Sequence, residues 1–185
     1  MPPQREPISL PSRLCRLRSV WTERSSCMPA TGRLSVKLDT DLHELLALLL
    51  AKGVEFLVVG GHAVAFHGYP RLTEDLDLFV RPGLANGTRI VGALREFGFG
   101  GLEIGPDDFI ADDRVIQLGR APNRVDLLTN LYGVVFSDAW EHRVVAHLDG
   151  TEVWMIGRDD LIRNKRATGR TQDLADAEFL ERLGN

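Results

Sequence analysis

Two carboxylates one residue apart, Asp75 and Asp77, follow a glycine pair, Gly60-Gly61, at a distance of one short helix and a turn. In an extended strand the side chains at i and i+2 share a face about 7 Å apart along the chain, so both carboxylates can reach one cation while Leu76 and Leu78 turn into the core. The glycine pair ends an apolar run and precedes a helical stretch, where backbone amides can receive phosphate with help from the helix dipole. A cation clamp facing a phosphate cradle points to phosphoryl or nucleotidyl transfer.

Asp126 lies between Val125 and Leu127-Leu128. A carboxylate within a buried strand is costly unless something neutralises it. If its strand neighbours that of Asp75 and Asp77, three carboxylates converge. Such a set suits one or two Mg²⁺ ions that bind oxygen ligands and bridge substrate phosphates. The alternative is a surface acid, or a salt bridge to Arg124.

Competing chemistries lack their residues. Neither a Walker-type Gly-Lys-Ser/Thr nor a dinucleotide Gly-x-Gly-x-x-Gly pattern occurs, and no serine sits in a Gly-x-Ser-x-Gly elbow. Among the five histidines, His62 and His67, like His142 and His147, are five residues apart. That is about 140° around a helix, so neither pair shares a face, and no His-Glu-x-x-His run supports catalytic zinc. His62 can approach a phosphate or serve the structure alone. Arg158, Arg163, Lys165, Arg166 and Arg170 form the most basic stretch outside the first 33 residues. It is either a solvated helix face with Asp159 and Asp160 at its N-terminus, or a source of Lys165 for a triphosphate. Asp173 and Asp176 then orient those cations, or cap and pair on the surface.

The elements that would carry these groups follow from local pattern. A helix from Asp39 stops at Gly53, and the β-branched run Val54 to Val59 forms a strand ending at the glycines. His62 to His67 is a short helix stopped by Gly68 and Pro70, and Asp75 to Val80 a second strand. Apolar positions 90, 91, 94 and 97 make one face of a helix from Thr88 to Phe97 that Gly98 can end. A loop with Asp107, Asp108, Asp112 and Asp113 leads to strands Val115 to Leu118 and Arg124 to Leu128, joined by a turn at Pro122-Asn123. A short helix spans Ser137 to His142. Val144 to Leu148 and Glu152 to Ile156 flank Asp149-Gly150, a dipeptide suited to a type I′ hairpin expected beside the site. Helices near Asp159 to Thr168 and Gln172 to Leu183 close the chain. The class is α+β, a mixed sheet flanked by helices with a carboxy-terminal helical pair.

Composition bounds the reading. A chain of 185 residues fits one domain with a tail. A net charge of −4 disfavours a protein that coats nucleic acid. The only cysteines, Cys15 and Cys27, leave the body without a disulfide framework, which suits a cytoplasmic setting. The longest apolar run, Leu45 to Ala51, falls far short of the roughly 20 residues that span a bilayer, so no membrane span is expected. Residues 1–33 read as a mobile tail, with Met28 a possible natural start, and residues 34–185 as the domain.

Gly60-Gly61, Asp75-Leu76-Asp77 and Asp126 match, in order, the motifs of the DNA polymerase β-like nucleotidyltransferase superfamily, which this chain resembles. The spacing of the glycines from Asp75 is similar to that in the abortive-infection and type IV toxin branch, and Lys165 with Asp173 and Asp176 resembles that branch's carboxy-terminal Lys and Asp motifs. Val-Gly-Gly-His-Ala-Val-Ala-Phe-His-Gly-Tyr-Pro-Arg, Asn-Arg-Val-Asp-Leu-Leu-Thr and Asn-Lys-Arg-Ala-Thr-Gly-Arg-Thr-Gln-Asp-Leu-Ala-Asp look like a compact group of bacterial nucleotidyltransferase-like proteins.

The resemblance, from about Leu34 onward, implies transfer of a nucleoside monophosphate from an NTP to a hydroxyl, with Mg²⁺ or Mn²⁺ as cofactor. The acceptor is open: an RNA end, a protein hydroxyl or a small molecule. Asp75 and Asp77 would hold metal, Asp126 would complete the metal set and position or deprotonate the acceptor, and Gly60, Gly61, His62 and Lys165 would bind nucleotide. A toxin–antitoxin or phage-defence setting, and a protein partner or homodimer, accompany the resemblance. The rival is a non-catalytic module of the same fold that regulates a partner. Gly61 stands where many relatives carry a phosphate-contacting serine, and the chain lacks the extra domain with which larger relatives hold nucleic acid.

Overall fold

Asp75 to Val80 forms its strand because apolar side chains alternate with carboxylates and then become continuous, and neighbours pair on both of its edges. In the computed structural model, which describes residues 40–183 except 71, 74, 111, 112, 121 and 122, this strand is β2 of a six-stranded mixed sheet. The other strands are β1 (Phe56–Val58), β3 (Val115–Arg120), β4 (Asn123–Leu128), β5 (Val144–Leu148) and β6 (Thr151–Met155). The order across the sheet is β3-β4-β2-β1-β6-β5. β2 runs antiparallel to β1 and parallel to β4, β3 antiparallel to β4, β6 parallel to β1, and β5 antiparallel to β6.

Among the described residues six α-helices accompany the sheet: α1 (Thr40–Ala51), α2 (Gly60–Phe66), α3 (Leu84–Leu94), α4 (Phe136–Glu141), α5 (Arg158–Thr168) and α6 (Thr171–Arg182). The expected α+β class and carboxy-terminal helix pair are both present. Leu42, Leu45, Leu46 and Leu49 of α1 and Ile90, Val91 and Leu94 of α3 join Leu57, Leu76, Leu78 and Leu127 in a single core. No helix among the described residues is long and apolar enough to cross a membrane.

Several expectations shift in detail. The helix expected from Thr88 begins earlier, at Leu84, and passes after Leu94 into a wider turn, Arg95–Phe99, where Gly98 takes φ 112°. Asn123 belongs to β4 rather than to a turn, and Pro106–Phe109 winds a short 3₁₀ turn through the acidic loop. Asp149 and Gly150 both take positive φ, 48° and 84°, as a type I′ turn requires. Their hairpin, however, extends the sheet beyond β1, so β1 separates it from β2. Pairing of β6 with the free edge of β1 puts it there, and no local pattern reveals that. The tail at 1–33, Asp39, Asp112 and Pro122 lie outside the described residues.

Candidate active site

The parallel pairing of β2 with β4 sets Asp75 opposite Arg124 and Asp77 opposite Asp126, and β3 sets Gln117 opposite Asp126. Residues in register on neighbouring strands project to the same face, with strands about 4.8 Å apart. One face therefore collects Asp75, Asp77, Arg124, Asp126 and Gln117, while Leu76 and Leu78 are buried on the other. Farther along β2, Phe79 ends this polar patch by meeting the ring of Phe136 at 5.1 Å between centroids.

The carboxylates feel one another. Burial, then the charges of Asp126 and Asp75, push the Asp77 carboxyl up to about 6, against the opposing pull of Lys165 and Arg124. Burial also raises Asp126, with the Asp75 charge adding to it, while the Gln117 amide and the Arg124 guanidinium oppose. Arg124 donates from Nη2 to Asp75 Oδ2 at 2.5 Å and from Nε to Asp126 Oδ1 at 3.0 Å, and Gln117 Nε2 donates to Asp126 Oδ2 at 3.2 Å. The two readings of Asp126 thus coexist: it joins the other carboxylates, and it pairs with Arg124.

The donor set is of the kind a hard divalent cation takes. Its ligands would all be carboxylate oxygens, the type Mg²⁺ and Mn²⁺ prefer. Asp75 Oδ1 is buried without a hydrogen-bond partner among the described residues, which is a free ligand atom at the right place. As the side chains stand, no group of three or more His, Cys, Asp or Glu among the described residues is arranged to hold a metal. The guanidinium of Arg124 instead pairs with both Asp75 and Asp126. The residue types fit the cation, and Arg124 fills the space between two of the carboxylates.

The glycine turn abuts this patch. Val59 N–H donates to Asp77 O at 3.0 Å, which continues the β1–β2 pairing and holds the next residue against the Asp77 side chain. Gly60 then takes φ 62°, and a Cβ there would land inside the carboxylate, 2.7 Å from Asp77 Cγ. Only glycine meets both demands. Gly61 is excluded from bearing a side chain for another reason: its Cβ would lie 2.6 Å from Thr73 Oγ1 and 2.7 Å from Thr73 Cβ. His62 is 6% exposed, and its Nδ1 has no partner among the described residues. Burial lowers its pKa, against the raising effect of the nearby Asp75 charge, so the ring faces the site as a neutral imidazole.

Lys165 does not lie on a solvated face. It is 7% exposed, and Nζ meets Asp173 Oδ1 at 2.5 Å and Asp176 Oδ2 at 3.3 Å. Asp173 and Asp176 are themselves buried, so they orient the ammonium rather than pair on the surface. Lys165 is close enough to Asp77 to favour its ionised form. The other cations of α5 behave differently: Arg163 and Arg166 are half exposed and bind Asp160 and Glu181 away from the carboxylates.

Three neighbours of the site escaped the sequence reading as participants: Arg124 as a bridge, Gln117 and Thr73. Arg124 carried a signal, since a cation two residues before Asp126 on a strand must share its face. Gln117 carried none, because its place depends on the β3–β4 register.

Residues 38–185 match a family described as "Nucleotidyl transferase of unknown function (DUF2204)". The chain belongs to that family. The fold is also similar to that in the solution structure of the antibiotic-resistance factor ANT(2'')-Ia. The TM-score is 0.51 at 14% identity, over 79% of this chain and 83% of that one, a likeness of fold alone. No curated protein sequence matches significantly.

Proposed function

We propose that the protein transfers a nucleoside monophosphate from an NTP to a hydroxyl acceptor in a reaction that depends on Mg²⁺ or Mn²⁺. The observation that carries this is the register of Asp77 with Asp126 on parallel strands, with Asp75 on the same face and Gly60 against the Asp77 carboxylate. Asp75 and Asp77 would hold the cation, with Asp126 sharing it. A divalent ion bound there would stabilise negative charge on the attacking and leaving oxygens. The amides that open α2 would receive phosphate oxygens, since the first turn of a helix leaves its N–H groups without intrahelical partners. Lys165 uses two of its three N–H donors on Asp173 and Asp176 and keeps one for a phosphate oxygen. Asp126, with a raised pKa, is suited to take the proton of an acceptor hydroxyl.

The test is transfer of α-phosphate label. Each NTP, labelled at the α-phosphate, would be incubated with the protein, Mg²⁺ and fractionated RNA, protein or small molecules, and followed into product. Label should enter one fraction with release of unlabelled pyrophosphate, and Asp77→Asn should abolish it. Which fraction is labelled identifies the acceptor class and decides whether a toxin or defence role is worth pursuing.

Arg124 favours a second reading. A guanidinium seated between two carboxylates satisfies them without metal, as a non-catalytic module that regulates a partner would require. Calorimetry separates the two. NTP binding that is independent of Mg²⁺ and accompanied by no turnover supports the module, and metal-dependent binding supports the enzyme.

A further inference from the structure

The glycine turn offers backbone donors only, since Gly61 has no side chain and a serine could not fit there. Thr73 occupies that volume. Its Oγ1 lies 2.6 Å from where the Cβ of residue 61 would stand, so it reaches the start of α2 from the opposite side. Thr73 lies two residues before β2 begins at Asp75, and its hydroxyl turns toward the backbone of that first strand residue. Among the described residues its hydroxyl makes one hydrogen bond, a long one of 3.3 Å from Oγ1 to Asp75 O. The residues that follow this contact in the chain carry buried polar atoms without partners among the described residues: Asp75 Oδ1, and Nδ1 of His62, which comes directly after Gly61 and is 6% exposed. Neighbouring atoms with unmet hydrogen-bonding capacity mark a place that a polar ligand completes.

We infer that the Thr73 hydroxyl is the side-chain donor to the triphosphate, supplied from the β2 side because the glycine turn cannot supply one. This rests on the nucleotidyl-transfer reading and goes further by assigning a residue to phosphate recognition. The hydroxyl donates to a phosphate oxygen above Gly61 and exchanges its long bond to Asp75 O for a charge-assisted one. The carboxylates of Asp75 and Asp77 are then left to the cation rather than to the phosphates.

The experiment measures binding of inorganic tripolyphosphate with Mg²⁺ by calorimetry, with Mn²⁺ binding in its absence and the melting midpoint as companion readouts. In Thr73→Val, tripolyphosphate affinity should fall about tenfold or more while Mn²⁺ affinity and melting stay near wild type, since a hydrogen bond to a charged group is lost at constant shape. Thr73→Ser should bind within about threefold of wild type. Gly61→Ser alone should bind poorly because its side chain collides with Thr73. Gly61→Ser combined with Thr73→Gly returns a hydroxyl to the same volume and should recover most of the affinity.

Undiminished tripolyphosphate binding by Thr73→Val overturns the inference, as does an equal loss of Mn²⁺ affinity, which would reveal a structural role. A wild-type protein that binds tripolyphosphate with neither cation instead defeats the nucleotidyl-transfer reading itself.

Discussion

Asp77 carries a conflict that makes the site measurable at the scale of one residue. Its carboxyl is raised from 3.8 to about 6 by burial and by Asp126 and Asp75. Between those values the folded chain binds more protons than the unfolded one, so this group's contribution to stability falls as pH rises through the window and its penalty is complete above about 6. Asp77→Asn removes that penalty at nearly constant shape. Without metal, the variant should melt above wild type at pH 7 by an amount worth about 1–3 kcal/mol, with the difference shrinking toward pH 4. Thermal melts across that range check the sign. The same variant should lose label transfer by at least about a hundredfold. Arg124 makes the complementary case, because it holds Asp75 and Asp126 where a cation would go. Arg124→Gln should melt below wild type without metal, yet bind Mn²⁺ more tightly and gain more stability from it. Weaker Mn²⁺ binding would show that the guanidinium assists the cation rather than competing with it.

At the scale of elements, the turn between β1 and α2 is the most constrained feature. Gly60→Ala imposes a positive φ on a residue with a side chain, worth about 1–2 kcal/mol, and also drives a methyl into the Asp77 carboxylate. It should lower the melting midpoint and abolish metal binding together. Gly53→Ala, also at positive φ but with open space around its Cβ, should cost stability alone. Much of this geometry was legible in the chain. Leu76 and Leu78 alternate with carboxylates, so the β2 boundaries and its site face could be read directly, and Asp149-Gly150 announced its hairpin. The Asp126 partnership was only conditional, because no local pattern states that β4 pairs with β2 rather than with another strand. The hairpin was expected beside the site and instead lies beyond β1, since strand order is settled by long-range packing. Lys165 shows the same limit. A basic stretch looks solvated until the next helix folds back and brings Asp173 and Asp176 to it.

For the molecule as a whole, those contacts lock α5 to α6 and hold the Lys165 charge near Asp77. Lys165→Met leaves two buried carboxylates without their ammonium, and breaking a buried ion pair from one side typically costs about 3–5 kcal/mol. A urea titration should show that loss. Replacing Arg166, whose partner Glu181 is exposed, should change stability by less than about 1 kcal/mol. The sheet, the glycine turn and the Lys165 charge therefore meet around Asp77, where the proposed divalent cation would sit. The direct measurement is Mn²⁺ binding, followed by the loss of the free-ion electron paramagnetic resonance signal, for wild type and Asp77→Asn at pH 7 and pH 5. Wild type should bind at pH 7 and weaken about tenfold by pH 5 as Asp77 takes up its proton, and Asp77→Asn should bind at neither. Wild-type Mn²⁺ affinity in Asp77→Asn would contradict the account.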